Sequence, residues 1–349
     1  MPAINIALAL KALDKEIDLL FIGRKDGMEK AIVNRFNFSI REIEVAGLKR
    51  NPIGLIKFIW KWNKSLSQAS AIIKEFEPQA IVGTGGYVSA PVVRMAHKMG
   101  ITVFMQEQNS LPGLATRTLS RMAENIFTAY AGARYLPAEK CRLTGNPVRP
   151  DLLDADREAA LNEFGLDSGK KTILVLGGSS GARGINNAIL EIVKAGMIPS
   201  DWQLLWQIGQ KDFSEIASSI PDRFSGKYLP FIHNMPGAYS VADLIISRAG
   251  AMALAEIAVW GLPSILIPYP HATGDHQMLN ANEFAFGGAA IVIAEQDISE
   301  KLLSTLIELT RNINKRSEMA EASRSLAKPD AAMIIAKTVL DRINEIQKN

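Results

Sequence analysis

Residues 172–186 read TILVLGGSSGARGIN: an apolar, β-branched run, then glycines, serines and an arginine, then the start of a helical pattern. A strand that runs through a glycine turn into a helix can cradle a phosphate. The turn frees backbone N–H groups, and the helix start adds the positive end of its dipole. Working outward, IDLLFIG (17–23), QAIVGTG (79–85), ITVFMQE (101–107) and NIFTAY (125–130) read as strands. The pattern restarts with TILVLGG (172–178), WQLLWQIG (202–209), DLIISRAG (243–250) and PSILIPY (263–269). Strands alternating with helices imply parallel sheets and right-handed crossovers. The two series are separated by TGNPVRPDLLDADREAALNEFG (144–165), where Pro147 and Pro150 break the chain ahead of a polar helix. The expected fold is α/β, with two doubly wound parallel-sheet domains facing a cleft. A last helix follows Pro329.

Composition narrows the function. The chain has 349 residues, 48% apolar and 21% charged, with a formal net charge of +3. That suits a globular protein with substantial cores and is too little charge for nucleic-acid binding as the main task. Cys141 is the single cysteine, which excludes a disulfide framework and a cysteine zinc cluster and fits a reducing compartment. The start, MPAINIALAL, lacks the charged region and cleavage site of a signal peptide. No apolar run reaches the roughly 20 residues of a spanning helix. The longest candidate, ALAEIAVWGLPSILIP, is interrupted by Glu256 and Pro263.

Three glycine loops sit where a strand meets a helix: GTGGYVSAP (83–91), GGSSGARG (177–184) and SRAGAMALAE (247–256). The dinucleotide fingerprint wants glycine at its first, third and sixth places. Ser179 and Ser180 break it from Gly177 and Gly178, and Val88 breaks it from Gly83. The Gly-Lys-Ser/Thr of a Walker loop does not occur, which removes ATP hydrolysis. Three readings stay open. Gly177, Ser179 and Gly181 fit the nucleophile elbow of an α/β-hydrolase, with Asp243 and His271 or His276 downstream in the required order. The turn is otherwise structural, or it holds a nucleoside diphosphate. On the third reading Glu256, set among Ala251, Ala253, Ala255 and Ala258, is placed to grip vicinal ribose hydroxyls.

GTGGYVSAP, QEQNSLPG, TGNPVRPD, LVLGGSSGARGIN, FIHNMPGAY, SRAGAMALAE with GLPSILIPYP, and HQMLNA follow one another in this order. Together they resemble the bacterial MurG family, N-acetylglucosaminyltransferases that convert lipid I to lipid II in peptidoglycan synthesis. The resemblance runs the length of the chain. It implies a GT-B fold of two Rossmann-like domains. Residues 1–148 with a returning helix at 329–349 would face the acceptor and membrane, and residues 149–328 would bind UDP-GlcNAc. It implies that Ser179 faces the donor diphosphate or sugar and that Arg149 approaches the donor from the hinge, a guanidinium suiting phosphate geometry. Ile232 would meet uracil through its backbone, and Glu256 would hold the ribose. Ala251, Met252, Ala253, Leu254 and Ala255 would line the pocket. Gln277 and Asn109 would hydrogen-bond the GlcNAc ring, and Gly85, Gly86 and Tyr87 would form the acceptor-side loop.

Two departures stand out. The family opens with a strand and a G-G-T-G-G-H loop, whereas here the chain begins at Met1-Pro2-Ala3. The expectation is that a start codon has been assigned too late, a truncated or catalytically impaired sugar-nucleotide-binding paralogue being the alternative. Where the family often has histidine before EQN, this chain has Gln106.

The reaction so implied is an inverting displacement on GlcNAc by the 4-hydroxyl of lipid-linked MurNAc-pentapeptide. It needs no protein nucleophile and no cofactor. Glu107 is the candidate base, a role worth about 10²–10⁴-fold. His97, His233, His271 and His276 are too scattered for a zinc site, and Asp154-Ala155-Asp156 reads as a solvated helix start rather than a metal-binding D-x-D, so no metal is expected. Finally, VAGLKRNPIGLIKFIWKWNK (45–64) carries five basic residues and no acidic one. Lys57, Lys61 and Lys64 form a stripe beside Ile53, Leu55, Ile56, Phe58, Ile59, Trp60 and Trp62. That is the composition of an interfacial helix, or of a core helix with snorkelling lysines. With a lipid-borne acceptor it points to an anionic membrane surface, met by residues 49–64 at the cytoplasmic face as a peripheral protein.

Overall fold

The computed structural model describes residues 1–27, 29–45, 52–132, 134–178 and 181–348, with backbone alone for 52–57. The chain divides into two compact units, Met1–Pro150 with Pro329–Asn349, and Asp151–Lys328. Arg149 lies in the first of these units, two residues before the division, where the resemblance sets the boundary just ahead of it.

The first unit runs α1 (Pro2–Leu13), β1 (Leu20–Arg24), α2 (Glu29–Arg35), β2 (Ser39–Ile43), α3 (Pro52–Phe76), β3 (Ala80–Gly83), α4 (Gly86–Lys98), β4 (Thr102–Glu107), α5 (Leu114–Leu119), β5 (Asn125–Thr128) and β6 (Cys141–Leu143). Its parallel strands form two sheets, β1-β2 and β3-β4-β5-β6, instead of one. The edges of β1 and β3 border an apolar cavity of about 610 Å³, lined among others by Leu10, Leu20, Ile22, Ile81 and Val82. Ala69 and Ile73 of α3 and Val92, Val93 and Ala96 of α4 pack on Val103, Met105 and Ile126. Phe104 and Phe127 belong to a second core with Ile6, Ala9 and Leu10 of α1. Alternate residues of β4 thus serve different cores, as a period of two requires.

The second unit runs α6 (Arg157–Phe164), β7 (Lys171–Leu176), α7 (Arg183–Lys194), β8 (Trp202–Gln207), α8 (Phe213–Ala217), β9 (Gly226–Leu229), α9 (Met235–Val241), β10 (Leu244–Ser247), α10 (Ala251–Trp260), β11 (Ser264–Leu266), α11 (His276–Phe286), β12 (Ala290–Val292), α12 (Ile298–Arg311) and α13 (Ile313–Ser325). Its strands make one parallel sheet in the order β12-β11-β10-β7-β8-β9. The order reverses at the β7–β10 pair, and ligands of such sheets bind outside the strand ends at that reversal. Burial explains the strand residues: Ile173, Leu174 and Val175, like Leu244, Ile245 and Ile246, are 0% exposed. Asp156 caps α6, accepting from the N–H groups of Glu158 and Ala159, so the D-x-D stretch has a local structural role. After Pro329 the chain returns to the first unit as α14 (Ala331–Lys348). There Ile335, Ala336 and Val339 join the core of α1, Phe104 and Phe127.

Candidate functional site

In the second unit the loops after β7, β9, β10 and β11 leave the same end of the sheet. Gly177–Ala182 follows β7. A Cβ on Gly177 would lie 2.5 Å from the Ala182 nitrogen, and one on Gly181 2.6 Å from the Ile208 carbonyl oxygen. Gly181 also has φ +80°, so the turn requires glycine there on two counts. The tightness folds the loop back onto the start of α7, whose capping residue is Ala182. Among the described residues no side chain caps it, and the first-turn N–H groups of α7 have no partner within the helix. Ser179 and Ser180 lie outside the described residues.

Two polar residues brace this end. Gln207, the last residue of β8 and 4% exposed, donates to the Gly178 carbonyl (3.0 Å) and accepts from the Ile232 N–H (2.9 Å). One amide thus ties the glycine turn to the FIHNM segment. Arg248, 9% exposed, donates to the carbonyls of Ile267 (3.1 Å) and Pro268 (3.2 Å) and pairs with Glu295. Its guanidinium also sits 5.6 Å from the centre of the Tyr269 ring. Gln277, in the first turn of α11, accepts from the Tyr269 N–H through Oε1 (2.9 Å). The loop after β11 is therefore fastened at both ends.

α10 begins directly after Gly250. Ala251, Met252, Ala253 and Ala255 are partly exposed, whereas the Leu254 side chain is fully buried and offers a ligand its backbone alone. Glu256 is half-buried, and the Tyr239 phenol donates to its Oε2 at 2.8 Å. Burial, with the Glu256 charge beside it, holds that phenol well above its ordinary pKa. It stays a donor.

In the first unit the loops after β3, β4 and β6 come together. Gly85 and Gly86 have φ +83° and +77° and lead into α4, where Tyr87 is exposed. Gln106, fully buried, donates to Asn146 Oδ1 (3.0 Å), Gln108 donates to the Thr84 carbonyl (2.9 Å), and Asn146 donates to the Gln108 carbonyl (3.0 Å). Glu107 is 3% exposed. Its Oε1 accepts from Asn109 N (3.1 Å) and Nδ2 (3.2 Å), and its Oε2 from Gly113 N (3.1 Å). Arg149 is half-buried.

Residues 1–128 match the glycosyltransferase family 28 N-terminal domain and residues 172–335 its C-terminal domain. Curated relatives named UDP-N-acetylglucosamine–N-acetylmuramyl-(pentapeptide) pyrophosphoryl-undecaprenol N-acetylglucosamine transferase include that of Desulforamulus reducens, 39% identical over 97% of this chain and 94% of its own. That of Bacillus subtilis is 36% identical over 95% and 93%. The crystal structure of Acinetobacter baumannii MurG superposes with a TM-score of 0.77 at 27% identity, covering 97% of this chain and 95% of that one. The chain belongs to the MurG family.

As a MurG-family glycosyltransferase with parallel sheets in both units, the protein leaves the hydrolase reading no geometry. Asp243 precedes β10, accepts from Thr172 N at the start of β7 (2.8 Å) and meets Arg157 at 3.3 Å. The elbow lies at the other end of the six-residue strand β7, roughly 15 Å away at about 3.3 Å per residue. No acid–histidine–serine relay spans that.

Both oxygens of Glu107, the candidate base, accept from the 109–113 loop, three of the carboxylate's about four acceptor positions, so the side chain staples that loop. Asn109 is likewise fastened to it. Ile232 is 1% exposed, and its N–H donates to Gln207. Gln207, Tyr239 and Arg248 escaped the sequence reading. For Gln207 and Arg248 the available signal was polarity at a strand's C-terminal end, in WQLLWQ and IISR; Tyr239, on α9, had none.

Proposed function

We propose that this protein transfers GlcNAc from UDP-GlcNAc to undecaprenyl-pyrophosphoryl-MurNAc-pentapeptide (lipid I), forming lipid II for peptidoglycan synthesis. The observation that carries this is the likeness to N-acetylglucosamine transferases over nearly the whole chain. In the second unit, the first-turn amides of α7 face the UDP diphosphate and the Ile232 carbonyl accepts from uracil N3–H. Glu256 accepts from the ribose hydroxyls, and the Gln277 NH2 reaches the sugar. The 4-hydroxyl oxygen of MurNAc bonds to the anomeric carbon as the bond from that carbon to the β-phosphate oxygen breaks. The hydroxyl proton passes to an acceptor on the lipid I side, and UDP departs. Charge builds on the diphosphate, and preorganised donors at such a position are worth about 3–4 kcal/mol each in the transition state.

The lipid-borne acceptor sets this reaction at the cytoplasmic face of the membrane. None of the helices in the described residues is long and apolar enough to cross one. The membrane contact we assign is α3, where Ile59 and Trp60 are 52% and 62% exposed.

The test is GlcNAc transfer from labelled UDP-GlcNAc to a lipid I analogue, with UDP binding measured in parallel. Glu256→Ala should weaken UDP binding about 10- to 150-fold, the worth of a hydrogen bond to a charged group. An unchanged affinity would remove the ribose role. A protein that binds UDP-GlcNAc but glycosylates no lipid I analogue would be a binding module instead.

A further inference from the structure

We propose that Tyr239 is a positioning residue for the donor site, holding the Glu256 carboxylate in the orientation that takes the ribose hydroxyls. The proposal rests on the ribose reading of Glu256 and deepens it. Glu256 lies half-buried on α10, with Met252 and Ala253 one turn before it and Val259 and Trp260 one turn after, and its side chain has three rotatable bonds. Any rotational freedom left to that side chain has to be given up each time a nucleotide binds, at a cost in affinity. The Tyr239 hydroxyl removes that freedom beforehand, because it reaches Oε2 at 2.8 Å from a ring that is itself immobile.

The ring's immobility comes from the fold. Tyr239 is 1% exposed, and it sits on α9, which packs against both α6 and α10. Asn234 caps that helix through Gly237 N (2.9 Å) and donates to Glu163 of α6 (2.6 Å). The ring therefore has little room to follow a moving carboxylate. The direction of the hydrogen bond is fixed as well: a buried phenol beside a carboxylate keeps its proton. Oε2 must be the acceptor. A carboxylate offers about four acceptor positions, so a bond from Tyr239 is compatible with bonds from two vicinal hydroxyls. Packing alone would be met by phenylalanine at a position this buried. The hydroxyl is what requires explanation, and its partner is Glu256.

The experiment compares UDP with 2′,3′-dideoxy-UDP by calorimetry on the full chain and on Tyr239→Phe, which keeps the ring and removes the hydroxyl. We expect the parent to prefer UDP by tenfold or more. The variant should lose about five- to tenfold in UDP affinity while its affinity for the dideoxy nucleotide is unchanged, so that the preference shrinks. A merely structural role for Tyr239 would weaken both nucleotides alike, and that result overturns the proposal. Equal preference in parent and variant overturns it too, with the ribose reading left standing. A parent that binds both nucleotides equally sinks the ribose reading and the proposal together. Tyr239→Met, which fills the space without a donor, gives the same readout should the phenylalanine variant fold poorly.

Discussion

A carboxylate that takes a proton from substrate needs a lone pair aimed at it. Glu107 has its oxygens turned to Asn109 N, Asn109 Nδ2 and Gly113 N. Replacement by glutamine keeps the side chain's shape and one carbonyl acceptor. We expect Glu107→Gln to retain transfer within about tenfold of the parent, where a base would lose about 10²–10⁴-fold. Glu107→Ala should instead lower the thermal midpoint, since each buried donor left unpaired costs about 1–3 kcal/mol. A Gln variant with normal stability and no turnover would restore the base. At this scale the sequence is legible where the backbone itself demands one residue, as at Gly181. It is illegible where the role depends on what lies across a gap in the chain. Gln207 touches Gly178 and Ile232, and Tyr239 touches Glu256, through contacts that no local pattern encodes. The same holds at Glu107: QEQN shows a carboxylate beside amides but not which N–H groups fold onto it.

Among elements, the central strands were all legible and the missed ones share a cause. β2, β6, β9 and β12 each end a sheet. An edge strand is covered on fewer sides, so SIREI and GKYL carry charge where β7 carries the unbroken apolar run ILVL and β8 is uncharged. α3 presents the converse problem, an apolar face that burial does not fully account for. Phe58 and Trp62 stack with ring centres 6.1 Å apart, while Ile59 and Trp60 stay exposed. Lys64 sits 5.2 Å over the Trp60 ring and bonds Glu44 at 2.9 Å, holding that carboxyl below its ordinary pKa. One lysine of the sequence's basic stripe is thus already paired within the protein, and the Lys57 side chain lies outside the described residues. Lys61 becomes the residue to test. In flotation with anionic vesicles at low salt, Lys61→Glu should reduce binding by about tenfold, given about 1 kcal/mol per basic residue near such a surface. Trp60→Ser should reduce it on anionic and neutral vesicles alike. Binding indifferent to both changes would place α3 elsewhere than at a membrane.

Over the whole molecule, the two units differ in how well their sheets are knit. The second has one continuous six-stranded sheet, whereas the first has a two-stranded and a four-stranded sheet with the 610 Å³ cavity at their facing edges. Residues lining a void lack the dispersion contacts of a close-packed interior, and two-stranded sheets are marginal without support. Native-state hydrogen exchange should therefore find the β1 and β2 amides opening at lower free energy than those of β7, β8 and β10. Uniform protection across the two units would contradict this. The discontinuity of the first unit also orders events on the ribosome. Phe104 and Phe127 share their core with Ile335 and Val339 of α14, which are translated only after the second unit has been made in full. The half begun first is thus finished last, and until then its greasy flank is left for chaperones to shield.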